Sequence, residues 1–267
     1  MTTADRRARF RDLHARDGIF VMPNPWDIGS AKLMETLGFQ ALATTSAGFA
    51  LTLGRRDQQV TRDELVEHVR AIAAAIGIPL SVDSERLFAA DPAGVAETVR
   101  MLAGAGAAGC SIEDYDPETD SIDDVGTATE RVAAAVEAAH EGPDPMVLTA
   151  RCENHLNGVD DLDDTIARLV SYRDAGADCL YAPGLTHADH IRAVVDAVGK
   201  PVNVLALPST PSVPELAGLG VRRVSTGSLL CNAAYGAMVA GARELQGAGT
   251  SAYARVGLPQ DVRSALG

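Results

Sequence analysis

The sequence predicts a (β/α)8 TIM-type barrel with one extra N-terminal helix, and three observations carry the prediction. Short apolar runs rich in Val, Ile, Leu and Ala alternate with longer stretches of helical periodicity, the pattern of a parallel sheet covered by helices. Eight such units fill 267 residues, the length of one barrel, with no linker-like run between them. The open doubly wound alternative lacks its GxGxxG after the first strand. Residues 1–267 are therefore read as a single barrel domain, with 247–267 as a C-terminal tail.

Taken in order, residues 4–16 form an amphipathic helix with Phe10 and Leu13 on one face among arginines. Residues 19–22 are the first strand, ended by Pro23-Asn24-Pro25. Asp27 caps a helix to about Leu37, which Gly38 stops. Residues 41–45 are the second strand, followed by the small, flexible Ser46-Ala47-Gly48 and a polar loop over 53–60. Thr61, with Glu64 three residues later, makes a capping box for a helix ending at Gly77. Strand 79–83, helix 91–103 and strand 109–112 follow. The acidic segment 114–124 has no apolar periodicity and reads as a mobile loop or lid.

The second half keeps the rhythm. Helix 127–140 leads to strand 146–150, helix 162–175 to strand 178–181, and helix 187–198 to strand 201–205. A short helix at 212–219 precedes strand 221–225, and the last long helix covers 229–245.

Composition narrows the function classes. The formal charge of −13 argues against nucleic acid as a partner, since phosphate binding needs a basic surface. No apolar run approaches the ~20 residues that span a bilayer, and residues 1–16 lack the apolar stretch of a signal peptide. The four cysteines, Cys110, Cys152, Cys179 and Cys231, have no CxxC spacing and read as buried free thiols. A cytoplasmic enzyme of small molecules fits these observations.

In such a barrel the active site lies at the carboxyl ends of the strands. There the sequence places Asn24 and Trp26, Thr45 and Ser46, Asp83 and Glu85, Glu113, Arg151, Pro183, Asn203, and Thr226 with Ser228. Carboxylates buried side by side repel one another, and ionised clusters of this kind usually hold a cation. Helix capping is the bland alternative for either acidic site alone. Two sites one βα unit apart favour a hard divalent ion such as Mg²⁺. Arg151 beside them can grip a small carboxylate through paired hydrogen bonds. His155, His187 and His190 read as surface or capping groups, Trp26 as packing or pocket wall, and 160–164 as an acidic helix start.

The chain resembles the isocitrate lyase / phosphoenolpyruvate mutase superfamily over nearly its whole length. The blocks that carry the likeness are Gly38-Phe39, Thr45-Ser46-Ala47, Leu53-Gly54-Arg55-Arg56-Asp57, Asp83-Ser84-Glu85, Ile112-Glu113-Asp114, Ala150-Arg151, residues 175–178, 201–205 and 219–227. The resemblance implies Mg²⁺ (or Mn²⁺) bound by Asp83, with Glu85, Glu113 and Asp57 holding its waters. It implies that Thr45, Ser46 and Ala47 meet the substrate carboxylate, and that Arg151 and Asn203 line the pocket. The implied chemistry runs through a metal-stabilised enolate of a 2-oxoacid, breaking or making a C–C or P–C bond. Homo-oligomers, tetramer or dimer, are also implied, with the eighth helix exchanged between barrels.

Departures from the family pattern limit the reaction. The Lys-Lys-Cys-Gly-His lid of the isocitrate-type lyases and the Lys-Thr-Asn-Ser lid of the mutases are both replaced by Asp114-Tyr115-Asp116-Pro117-Glu118-Thr119-Asp120-Ser121. Where a third group reads Gly-Tyr-Gly after its Asp-x-Glu, this chain reads Arg86-Leu87-Phe88-Ala89. The expectation is a Mg²⁺-dependent C–C lyase of a small 2-oxo- or 2-hydroxydicarboxylate, oxaloacetate-like. Chemistry on phosphonopyruvate, as a mutase or hydrolase, and a non-catalytic 2-oxoacid binder are the alternatives.

Overall fold

The computed structural model describes residues 1–263 and Leu266. The last residues of the expected tail, 264, 265 and 267, lie outside that set. Eight strands form the barrel wall: β1 (Phe20–Met22), β2 (Leu42–Ala43), β3 (Leu80–Val82), β4 (Gly109–Glu113), β7 (Val147–Arg151), β8 (Cys179–Tyr181), β9 (Val202–Leu205) and β10 (Arg223–Ser225). The intervening β5 (Tyr115–Asp116) and β6 (Ser121–Ile122) make a separate antiparallel hairpin. Around the wall the order is β1-β10-β9-β8-β7-β4-β3-β2, and every pairing is parallel.

β1 and β2 stand at the seam, which polar contacts close. The Ala43 amide donates to the Pro23 carbonyl at 3.1 Å, and the Asn24 side chain donates to the Thr44 carbonyl at 2.6 Å. The Asn24 side-chain oxygen Oδ1 in turn accepts from the amides of Thr226 and Gly227, both at 2.9 Å. One buried amide side chain thus joins the ends of three strands.

The helices are α1 (Thr3–Ala15), α2 (Ile28–Thr36), α3 (Ser46–Thr52), α4 (Arg62–Ala75), α5 (Pro92–Gly104), α6 (Val125–Ala139), α7 (Leu162–Asp174), α8 (Ala188–Val198), α9 (Val213–Gly218), α10 (Leu229–Gly247) and α11 (Gln260–Arg263). Two of their starts follow the expected caps. Asp27 and Thr61 form capping boxes with Ser30 and Glu64, and Asp91 accepts from the Gly94 amide. α4 turns Leu65, Val69 and Ile72 inward at helical spacing, and all three are buried in the shared core.

α1 plugs the amino-terminal end of the barrel. Phe10 and Leu13 pack on Phe20, Met22, Ala41, Ala43, Ala108 and Val147, a cluster separate from the outer core. The fit is close at Gly109, where a Cβ would lie 2.6 Å from the Val147 carbonyl oxygen and 2.7 Å from the Phe10 ring. Only glycine leaves room for that aromatic ring.

Three expectations change. The second strand is two residues long, and the small segment beginning at Ser46 is the short helix α3, capped by the Thr45 hydroxyl on the Gly48 amide. The acidic segment is not an irregular loop: β5 and β6 pair, and arginines clasp the hairpin. Arg86 reaches Asp116 at 3.0 Å and Asp123 at 3.2 Å, while Arg131 reaches Asp123 at 2.6 Å. All four cysteines are free and buried. Among the described residues no helix is long and apolar enough to cross a membrane.

Candidate active site

Each strand of the wall delivers its last residue to the same end of the barrel, and a cavity of about 160 Å³ opens there. Thr45, Ser46, Ala47, Asp57, Asp83, Arg151 and Asn203 all line it. Glu113 and Glu85, expected beside them, lie one layer behind. Glu85 faces a neighbouring cavity with Gln58 and Arg86.

Asp83 follows β3 directly, and its amide donates to the Thr44 hydroxyl at 2.9 Å. One carboxylate oxygen accepts from the Ser46 amide at 3.0 Å and the Ser46 hydroxyl at 3.1 Å. Ser46 therefore orients an acid of the protein. The other oxygen accepts from Arg151 Nη1 at 2.5 Å.

Arg151 ends β7 and uses its whole fork on protein acids. Nε donates to Glu153 at 2.8 Å, and Nη2 stands 3.3 Å from Glu113. Its guanidinium also sits over the Tyr181 ring at 5.3 Å. Burial works against this charge, yet Glu153, Glu113 and Asp83 together hold it well above the ordinary arginine range. Tyr181, buried under that cation, has its hydroxyl pushed up to about 12, mainly by burial.

The remaining acids are under strain of charge. Burial and then Asp83 raise Asp57, while the Ser46 hydroxyl opposes the shift. Burial and then Asp57 and Asp83 push Glu85 up to about 8. Burial raises Glu113 well above the carboxylate range, against the pull of Arg151, and Gln58 donates to it at 2.8 Å. Asp83, Glu113 and Glu153 share one guanidinium and Asp57 and Glu85 crowd beside them, so the site holds more carboxyl groups than cations. That donor set, all oxygen, fits a hard divalent cation. Among the described residues no three His, Cys, Asp or Glu side chains stand together as a ready chelate.

The segment after Asp83 keeps a glycine-like path without glycine. Glu85, Leu87 and Phe88 have φ of +49°, +62° and +56°. Left-handed backbone costs a residue with a side chain roughly 1–2 kcal/mol, so the surroundings must hold it. Leu87 is buried in the core, Arg86 is bound to the hairpin, and the Arg131 guanidinium reaches the carbonyls of Arg86 and Ala89.

Sequence reasoning passed over Gln58, Glu153, Tyr181 and Arg223. The first two act only through other side chains, so their types carry no signal alone. Arg223 did carry one, since an arginine at inward parity in an apolar strand is anomalous. His155 is also more enclosed than a surface loop residue, 3.5 Å from Asp160, but it lines a different cavity from Asp83.

With this geometry in view, the comparisons are decisive at the level of family. The phosphoenolpyruvate phosphomutase model matches residues 10–246. The chain belongs to the isocitrate lyase / phosphoenolpyruvate mutase superfamily. A superfamily structure from Burkholderia cenocepacia J2315, described only provisionally as a lyase or mutase, is 50% identical, covers 99% of this chain and 97% of its own, and superposes with a TM-score of 0.96. The oxaloacetate decarboxylase of Paraburkholderia xenovorans (strain LB400) is 33% identical, over 84% of this chain and 75% of its own length. An oxaloacetate acetylhydrolase solved with its product oxalate is 25% identical, covers 98% of this chain and 94% of its own, and has a TM-score of 0.86. These superfamily relatives support an enzyme with lyase-type activity.

Proposed function

We propose that this protein is a Mg²⁺-dependent (or Mn²⁺-dependent) carbon–carbon lyase acting on a small 2-oxo- or 2-hydroxydicarboxylate, with oxaloacetate as the model substrate. The observation that carries this reading is Asp83, turned into the cavity, fixed by Ser46 and ringed by acids that burial and mutual repulsion raise. Asp83 would hold the ion directly, with Asp57, Glu85 and Glu113 holding its waters. When bound, the ion supplies Lewis-acid polarisation of the 2-oxo oxygen. The oxaloacetate-directed relatives support the choice of substrate class.

The protein's own residues do the rest. Arg151 holds Asp83 and Glu113 in place through its fork and offsets charge as a substrate anion enters. Thr45, Ser46, Ala47 and Asn203 shape the wall against which the acid lies. The clasped hairpin covers the neighbouring acids and limits water there. As the C3–C4 bond of oxaloacetate breaks, its electrons form the C2–C3 double bond and those of the carbonyl move onto the oxo oxygen to give an enolate; the C4 carboxylate leaves as CO₂, and C3 then takes a proton from solvent. Phosphonopyruvate ranks lower as a substrate, because the three acids around Arg151 repel a phosphonate.

One observation favours a second reading, a 2-oxoacid binder without turnover: residues 114–124 contain no Cys, Lys or His to act as a lid acid. Pure protein, Mg²⁺ and oxaloacetate separate the two. Pyruvate released above the protein-free Mg²⁺ background, and abolished by EDTA, supports the lyase. Binding of oxaloacetate with no release above that background supports the binder.

A further inference from the structure

Beneath the acidic ring the barrel interior is not filled in the usual way. Barrel cores are dominated by bulky branched side chains, yet here the cavity continues down between Ala43, Ser81, Ser111 and Thr149. At its floor lies Arg223, 3% exposed. Its Nε donates to the Asn203 side-chain oxygen at 2.9 Å and its Nη2 to the Thr149 hydroxyl at 3.0 Å. Its Nη1 meets His14 Nε2 at 3.1 Å. Because His14 Nδ1 faces the Phe10 carbonyl at 2.8 Å, that nitrogen carries the proton and Nε2 accepts. His14 is neutral, since burial and then the Arg223 charge push it down to about 3.

Every partner of Arg223 is thus uncharged, and none of the ion pairs among the described residues involves it. A buried cation without a counter-ion is costly. Arg151 shows the opposite state, with three carboxylates on one fork. Thr149 lies two residues below Arg151 on β7, about 7 Å along a strand. The lower guanidinium, bound to Thr149, therefore opens on the same cavity as Asp83 and Arg151, two strand residues further down.

We infer that Arg223 is the anion subsite of the cavity: it receives the distal carboxylate of a dicarboxylate whose 2-oxo or 2-hydroxy end lies at the Asp83 ring. The inference rests on the proposed function and deepens it, by making the cavity selective for diacids over monoacids of the same skeleton. Asn203 and Thr149 hold the guanidinium, and the small side chains above it leave the passage open.

Malate and 2-hydroxybutyrate share a skeleton and differ by a distal carboxylate against a methyl group. Their affinities are measured calorimetrically with Mg²⁺ for the wild type and for Arg223→Gln, with circular dichroism checking the fold. The wild type should prefer malate, and Arg223→Gln should lose about tenfold or more of malate affinity with 2-hydroxybutyrate unchanged. If Arg223→Gln fails to fold, Ser81→Leu narrows the passage with the charge left in place and should show the same selective loss. Equal affinity of the wild type for both acids, or a parallel loss for both in the variant, overturns the inference and reduces Arg223 to a staple for α1. Binding of neither acid to the wild type overturns the proposed function as well.

Discussion

Arg151 and Asp83 face each other across the cavity mouth, Nη1 to Oδ1 at 2.5 Å, from the ends of β7 and β3. β4 lies between those strands and contributes Glu113 to the same guanidinium. The pair links three neighbouring strand ends by charge.

Arg151→Lys breaks that link. A lysine ammonium is a point charge and cannot address Asp83, Glu113 and Glu153 at once. The variant should lose tenfold or more in affinity for a 2-oxoacid, measured by calorimetry with Mg²⁺, while circular dichroism shows the barrel retained. Unchanged affinity would remove Arg151 from the working parts of the site.

The strand–helix order, the caps at Asp27 and Thr61, and the acids at the ends of β3 and β4 were all legible in the sequence. Each rests on local patterns: apolar runs, Asp or Thr ahead of a helix, a carboxylate closing a strand. The hairpin after β4 was not, because Asp116 and Asp123 are ordered by Arg86 and Arg131 from distant segments. The same holds for Ser46, whose partner Asp83 is 37 residues away, and for Glu153, which matters only through Arg151. Side chains that act through long-range polar contacts leave no periodicity to read.

Acid should weaken the fold through His14. Unfolded, His14 titrates near its ordinary 6.5; folded, burial and the neighbouring Arg223 push it down to about 3. Between those values the unfolded chain binds a proton that the native state refuses, so stability is lost as pH falls, by at most about 1.4 kcal/mol per pH unit. Burial lowers His68, stacked on Phe49, to about 4, and it acts in the same direction. Urea midpoints from pH 7 to 4 should fall more steeply for the wild type than for His14→Gln. Equal slopes would show that His14 does not contribute.

Assembly is the next expectation. α10 has 19 residues, of which only Cys231 and Gly241 are buried. Leu230, Met238, Val239 and Leu245 remain exposed on it, and Val256 beyond it is 86% exposed. Apolar surface of this kind on a long helix marks a partner, and a second copy of the chain is the common solution. Light scattering at micromolar concentration should give a tetramer or a dimer. A mass of one chain would contradict this, and with it any exchange of α10 between barrels.

The central claim is that Asp83 anchors a divalent ion on which ligand binding depends. Its most direct test is calorimetric titration of oxalate into EDTA-treated protein, with and without added Mg²⁺, for the wild type and Asp83→Ala. The account predicts Mg²⁺-dependent binding to the wild type and none to the folded variant. Mg²⁺-dependent binding of oxalate that survives in Asp83→Ala would contradict it.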